Sequence, residues 1–376
     1  MTQAWLIPAL FTILLAMAVA GGWRRVRFWR RGRSAPEKGF EPVRFLYGLG
    51  TIPKRYAVNL HDIAVRDKQA ANFHVPVAGG FLASLALLIP VHVFGLATPW
   101  LAWPLVIAAL AMLVGAGMAA KRRYRDRPEK ISYGIWNRLP ISLGVFAAAF
   151  AIITLPATGL IPPGTYGLAG TAVLGLMALW GLAELLPGAT FGGPMKHAFA
   201  GALHLAWHPR ARRFGTEAPV ADLKPVDLDG DKYGVETPKD FSWNQLLGFD
   251  ACVQCGRCQT VCPAHAAGQP LNPKKLIQDL VVGLSGPGTD AGYAGTAYTG
   301  GRAVGDSEGG PEQAVVPNLI DPETLWACTT CRACVEECPM FIEHVDAIID
   351  LRRFLTMEKG QAPGKAPEVI ENLRAT

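Results

Sequence analysis

Charged side chains are scarce in this chain and, over long stretches, missing. Asp, Glu, Lys and Arg make up 18% of 376 residues, whereas 50% are apolar and the mean hydropathy is +0.22. Soluble domains carry about 25% charged residues. Residues 1–23 hold no charge, 69–120 run for 52 residues without one, and 139–183 for another 45. These gaps exclude an ordinary water-soluble fold for the first half. The sequence also lacks a G-x-G-x-x-G after a strand, a G-x-x-x-x-G-K-[ST] loop and a His-rich metal motif, which argues against nucleotide cradles. No nucleic-acid module is recognisable, and no nucleic acid is expected as a partner. Cysteine is absent everywhere except in two short runs.

The uncharged stretches predict an all-α membrane domain. A spanning helix needs about 20 residues. The first gap fits one span and the others fit two each, giving five transmembrane helices at roughly 4–22, 75–97, 100–120, 139–158 and 165–186. Thr98-Pro99 and Ile161-Pro162-Pro163-Gly164 supply the short turns. Residues 23–74 hold 12 Lys/Arg, beginning with Arg24, Arg25 and Arg27, and 121–138 hold 7, whereas the two turns hold none. The positive-inside rule then places the N-terminus outside and the basic loops in the cytoplasm of a bacterial inner membrane, with lipid as the surrounding partner. The first apolar run has small residues at Ala18 and Ala20 but no basic segment before it. It reads as a span, not a cleaved leader.

The eight cysteines repeat one pattern. Cys252, Cys255, Cys258 and Cys262 precede Pro263, and Cys328, Cys331, Cys334 and Cys338 precede Pro339. C-x2-C-x2-C-x3-C-P is the ligand spacing of bacterial-type ferredoxins, in which the fourth cysteine of each run serves the other cluster. Two [4Fe-4S] clusters are therefore expected, one on Cys252, Cys255, Cys258 and Cys338, the other on Cys328, Cys331, Cys334 and Cys262. A disulfide framework needs an oxidising compartment. Structural zinc favours separated C-x2-C pairs. Neither fits so well.

Three segments follow from these signals: a transmembrane domain at 1–187, a juxtamembrane stretch at 188–240, and a helix-rich two-cluster ferredoxin-type domain at 241–376. Residues 1–187 hold 19 Lys/Arg against 7 Asp/Glu, a balance of +12; the remainder holds 17 against 23, a balance of −6. Within the juxtamembrane stretch, 191–207 reads as an amphipathic helix beneath the membrane, followed by a polar connector at 215–240. Helical spacing is expected at 270–283 and 341–355, and a glycine-rich loop at 284–316. His92 is the lone histidine inside a predicted span, so a haem b held by two histidines within the membrane is not expected. A surface haem between His74 and His197 or His204 is the alternative to plain interfacial histidines, as is His208 beside them. Glu184 either relays a proton to quinone or reaches the interface.

Several stretches resemble the membrane iron–sulfur proteins of bacterial dimethylglycine catabolism (the dimethylglycine catabolism protein B group), within the wider heterodisulfide-reductase-like electron carriers. They are GGPMKHAFAGALHLAWHPRARRFG at 192–215, FSWNQLLGFDACVQCGRCQTVCPA at 241–264, GQPLNPKKLIQDLVVGL at 268–284 and LWACTTCRACVEECPMFIEHVDAI at 325–348, with IPKRYAVNLHDIAVRDK at 52–68. The resemblance implies an oxidoreductase component in electron transport. A flavoprotein dehydrogenase for dimethylglycine or another methylated amine, or an electron-transfer flavoprotein, would be the donor, and quinone the acceptor. The eight cysteines map onto the family's cluster ligands. Longer relatives continue into a cysteine-rich region with C-C-G repeats, and this chain stops at Thr376 without one. Either a separate cysteine-rich subunit supplies it, or the chain is a truncated form, or a shorter conduit suffices. No residue here forms a substrate-oxidising site, so that chemistry is expected on partners. The competing classes are a membrane anchor or assembly subunit with structural clusters, a haem-containing quinone-reducing anchor, and a transporter, which the scarcity of intramembrane polar residues disfavours.

Overall fold

The computed structural model describes residues 6–33, 42–54, 67–186, 193–207, 226, 228–285 and 312–375. Packing divides the chain into two compact units: Met1–Arg24, Ala64–Glu129 and Tyr133–Lys196 in the first, Arg25–Ile63, Lys130–Ser132 and His197–Thr376 in the second. The division does not follow chain order, since 25–63 and 130–132 belong with the cysteine-bearing half. Among the described residues no strand forms, and the β-bridge between Arg33 and Ser242 is isolated.

The first helix is α1 (Leu6–Trp29), followed by α2 (Pro42–Lys54). Then come the long helices of the first unit. α3 (Lys68–Leu88) ends in a π turn at Ile89–Val93, and α4 (Pro99–Ala120) in another at Lys121–Asp126. α5 (Arg138–Thr158) follows a 3-10 turn, and α6 (Gly167–Leu185) closes the set. The boundaries have local causes. Asp67 caps α3 by accepting from Ala70 N at 3.1 Å. Pro99 occupies the first turn of α4, where its missing N–H is harmless. Gly159, at φ 82°, ends α5 in the left-handed conformation.

Among the described residues four helical stretches are long and apolar enough to cross a membrane: Lys68–Val93, Pro99–Asp126, Gly134–Thr158 and Gly167–Leu185. They correspond to the last four expected spans, with α3 beginning several residues further out and the stretch of α4 continuing through its π turn to Asp126. The expected span at 4–22 falls on α1. Consecutive helices pack: α3 on α4, α4 on α5, α5 on α6. Leu105, Met112, Leu143, Phe146 and Leu182 are enclosed between them, while Ile107, Val114, Leu168, Leu176 and Trp180 face outward. Apolar side chains on both faces suit helices whose solvent is lipid. With lipid outside, close packing rather than water exclusion holds such helices together. Gly181 shows it: a Cβ there would lie 2.7 Å from Phe146 Cβ. Ionic contacts gather at helix ends. Arg122 is buried against Asp67, 2.8 Å away, and Arg138 pairs with Glu184.

In the second unit, α7 (Lys196–Trp207) starts one residue inside the first unit. Its apolar side is not left open for a membrane surface. Phe199 stacks on Trp29 at 5.9 Å, Trp207 meets Phe45 and Trp243, and Ala200 and His204 are buried. Shorter helices complete the unit: α8 (Trp243–Asp250), α9 (Arg257–Thr260), α10 (Pro263–Ala266), α11 (Pro273–Ser285), α12 (Pro322–Trp326), α13 (Ala333–Glu337), α14 (His344–Arg353) and α15 (Ala366–Ala375). Ser242 and Gln245 form a capping box at the start of α8, with Ser242 N donating to Gln245 Oε1 at 2.9 Å. α14 sits within the stretch expected to be helical at 341–355, and α11 runs two residues past the one expected at 270–283. Most of the glycine-rich loop expected at 284–316 and the first part of the connector at 215–240 lie outside the described residues.

Candidate metal centre

The two cysteine runs follow the same backbone path, residue for residue. In the first, Gln254 (φ 51°) and Gly256 (φ 72°) are left-handed; in the second, Thr330 (φ 57°) and Arg332 (φ 61°) hold the corresponding positions. Each pair of reversals wraps the chain tightly before a short helix, α9 or α13, takes over. The fourth cysteine then turns extended: Cys262 has ψ 117° and Cys338 ψ 120°. Pro263 opens α10, where a residue without N–H fits the first turn. α9 and α13 pack on each other, and Cys258 and Cys334 share one buried cluster with Val335 and Val345.

That packing crosses the runs. Burial raises the Cys338 thiol, and its close thiol neighbours are Cys255 and Cys252 of the other run. Burial also pushes Cys258 well up, helped by Cys255, Cys252 and Cys338. Cys334 is pushed up to about 12, first by burial, then by Cys328, Cys262 and Cys331. Each fourth cysteine thus has its thiol neighbours in the other run, Cys338 beside Cys252 and Cys255, and Cys262 beside Cys328 and Cys334, while Cys258 adjoins Cys334 as well. Thiols held this high stay protonated unless a metal replaces the proton, so loading such a set releases protons. Among the described residues no three His, Cys, Asp or Glu side chains are close enough together to hold a single metal ion. Two runs of four thiols on matching tight loops suit a pair of cubanes, each presenting four separate irons to its thiolates, better than zinc, which favours separated C-x2-C pairs. The donor set therefore fits [4Fe-4S] clusters.

The two sets differ in their surroundings. Cys252, Cys258 and Cys338 are buried and Cys255 is partly so; Cys331 is exposed and Cys328 partly open. Thr330 N donates to Cys328 Sγ and Ile342 N to Cys338 Sγ, each at 3.4 Å. Beside Cys328, Arg352 donates to the Cys328 carbonyl at 2.6 Å and the Leu325 carbonyl at 2.5 Å, with its guanidinium 4.9 Å from the Trp326 ring centre. Arg332 donates to Asp346 at 2.9 Å and Glu343 at 2.5 Å.

The first run is seated differently. Asp250, two residues before Cys252, is fully buried. It accepts from Arg25 Nη2 at 2.6 Å, Arg25 Nε at 3.0 Å and Trp29 Nε1 at 2.7 Å. Gly256 lies against the Lys130 carbonyl so closely that a Cβ would collide with it. The same carbonyl accepts from Lys274 Nζ at 3.0 Å. Sequence reading assigned Arg25 and Lys130 to charge topology alone. Asp250 beside a cysteine run was the one available hint, because its partner lies 225 residues away.

The other candidate residues are placed as follows. His92 shares a 3.0 Å hydrogen bond with Thr154 Oγ1 and lies beside Phe150. His74 is on α3 in the first unit, His197 and His204 on α7 in the second, with His204 beneath Gly248. Glu184 is engaged by Arg138.

Comparison with known proteins finds two family matches along the chain. The family described as a domain of unknown function (DUF3483) matches residues 4–231, and a 4Fe-4S dicluster domain matches 246–339. A probable membrane-anchored ferredoxin of Chromohalobacter salexigens is 54% identical, over 99% of this chain and 56% of its own length. An EtfAB:quinone oxidoreductase of Syntrophomonas wolfei is 40% identical over 39% of this chain and 21% of its own length. A probable iron–sulfur-binding oxidoreductase, FadF, of Bacillus subtilis is 27% identical over 85% of this chain and 53% of its own. The chain thus spans about half the length of the two relatives that match it most broadly. No solved structure matches it. A DUF3483 region with membrane-length apolar helices, continued into paired cysteine loops, makes this chain a member of the DUF3483 family that carries a 4Fe-4S dicluster domain.

Proposed function

We propose that this chain is a membrane-bound electron carrier that takes electrons from a flavoprotein and passes them toward the quinone pool. The observation that carries it is the pair of matching cysteine loops packed together in one compact unit of a chain with, among the described residues, four membrane-length helices. A [4Fe-4S] cluster, when bound, takes up and gives back single electrons at potentials set by its surroundings.

The protein's own part is placement. Six of the eight thiols come from tight left-handed loops or the helices that follow them. The fourth cysteine of each run reaches across, so Cys252, Cys255, Cys258 and Cys338 hold one cluster and Cys328, Cys331, Cys334 and Cys262 the other. Buried side chains between them, Val335 and Val345, exclude water. The relatives' descriptions, one an EtfAB:quinone oxidoreductase and one a membrane-anchored ferredoxin, support a flavoprotein donor and a membrane site. Dimethylglycine or another methylated amine would be the substrate of that donor's dehydrogenase, as the sequence resemblance suggests. α1 adds a fifth span with the N-terminus outside, and the basic residues on the opposite side place the cysteine unit in the cytoplasm of the inner membrane.

The test uses the full chain purified in detergent. Metal analysis is expected to find about eight irons per chain, with two interacting cubane signals by electron paramagnetic resonance. Reduced electron-transfer flavoprotein should then bleach the cluster absorbance, and added quinone restore it. Absence of bleaching by the flavoprotein, with full bleaching by dithionite, sinks the donor assignment. Zinc in place of iron sinks the whole reading.

A further inference from the structure

The two cysteine sets differ most in access, and access decides where a soluble protein can deliver an electron. Cys331 is exposed, as are Thr329 and Thr330 beside it. The first set presents only the partly open Cys255, and its loop is backed by the Lys130 carbonyl at Gly256 and by the buried Asp250 anchor. Next to the open loop lies a cleft of about 690 Å³, lined by Glu323, Trp326, Ala327, Gly360 and Pro367 among others. Ala327 is the neighbour of Cys328, so the cleft reaches the open edge of the second set.

The exposed charges around this edge are predominantly acidic. The two arginines of the region are turned inward: Arg332 onto Glu343 and Asp346, and Arg352 onto the carbonyls of Leu325 and Cys328. The exposed charged side chains flanking the loop are Asp321, Glu323 and Glu336, and beside the cleft's other wall Lys359 and Lys365 are offset by Glu358 and Glu368. Such a rim attracts a basic partner and repels an acidic one, an effect felt mainly in the rate of encounter.

We infer that the Cys328–Cys331 loop and the adjoining Trp326 cleft form the electron port of this protein, the docking point of a soluble one-electron donor whose contact face is basic. The assignment rests on the flavoprotein reading above and adds which set receives the electron and through which surface. The first set then receives its electron from within the chain and not directly from solution. Encounter interfaces of this kind are small and weak, so exposed side chains at the rim govern the rate.

The experiment compares full-length variants loaded with clusters, using two reductants: reduced electron-transfer flavoprotein and dithionite, which is small enough to need no docking face. Thr329→Arg and Glu323→Lys alter the proposed port without touching a ligand. Thr260→Arg, on the exposed side of α9, is the control on the first run. Iron content and the paramagnetic signals check loading. The second-order rate of reduction by flavoprotein is expected to fall about tenfold in each port variant, with a weaker salt dependence for Glu323→Lys. Thr260→Arg should match wild type, and dithionite should reduce all proteins alike. Wild-type rates in both port variants, or a slow Thr260→Arg, overturn the port while leaving the flavoprotein reading intact. Failure of the flavoprotein to reduce even the wild type removes the donor, and the port falls with it.

Discussion

The two cysteine runs share one backbone design and differ in how it is supported. In each, the second and fourth residues after the first cysteine are left-handed, and the fourth cysteine is extended before a proline. Around the first, support comes from far along the chain: Arg25 and Trp29 on Asp250, Lys130 and Lys274 about Gly256. Around the second, it comes from nearby: Arg332 to Glu343 and Asp346, Arg352 to Leu325 and Cys328. A local repeat fixes the ligand geometry, and the surroundings decide exposure, charge and rigidity. This is how one motif yields two unequal redox sites.

The largest effect tests the crossing itself. Cys338→Ser should leave the same residual paramagnetic spectrum as Cys252→Ser, although Cys338 belongs to the second run. Cys262→Ser should match Cys328→Ser in the same way. If Cys338→Ser matched Cys328→Ser instead, each run would serve its own cluster and the comparison would collapse. Next in size is the anchor of the first run. Asp250→Ala leaves the Arg25 charge buried without its carboxylate, and breaking a buried pair costs about 3–5 kcal/mol. The thermal loss of cluster absorbance at a fixed scan rate should move down markedly. Glu343→Ala, at the partly exposed pair of the second run, should move it by roughly 0.5–1 kcal/mol. Equal shifts would show that the two runs are supported alike.

Arg352 offers a finer test. Its positive charge beside Cys328 favours the reduced state of the second cluster. Arg352→Gln should lower that midpoint by about 59 mV, a tenfold change for a single electron, and leave the first cluster where it was in a potentiometric titration followed by paramagnetic resonance. The smallest change is Thr330→Gly. A non-glycine residue in the left-handed region costs about 1–3 kcal/mol, offset by the greater freedom of glycine in the unfolded chain. A gain within about 1 kcal/mol is expected, read as a slower thermal loss of absorbance.

How much of this was legible beforehand follows from the range of each interaction. The ligand spacing is local, so Cys252 to Cys262 and Cys328 to Cys338 could be read directly. The spacing implies crossed ligand sets, which the serine variants of Cys338 and Cys262 test. The last four spans were visible as gaps in charge, but their ends were not. Asp67 and Arg122 pair across helix ends, where α3 starts and the π turn after α4 finishes further out than hydropathy alone suggests. α7 was recognisable as amphipathic, yet its apolar side packs on Trp29, Phe45 and Trp243, because periodicity reveals a face without naming what covers it. The Arg25–Asp250 pair was hidden for a related reason. Arginines after an apolar run already had an explanation in membrane topology, and nothing local marked one of them as buried.

Gly256 and Arg332 hold the same place in the two loops, but they are not exchangeable in both directions. Moving the first run into the second position would put glycine where Arg332 stands, losing its contacts to Glu343 and Asp346 while leaving the backbone path open. Moving the second run into the first would drive an arginine side chain into the Lys130 carbonyl. The repeat thus carries a one-way constraint. Sequence drift or recombination that makes the halves alike can pass from the first run to the second, whereas the reverse is blocked by a single atom's width.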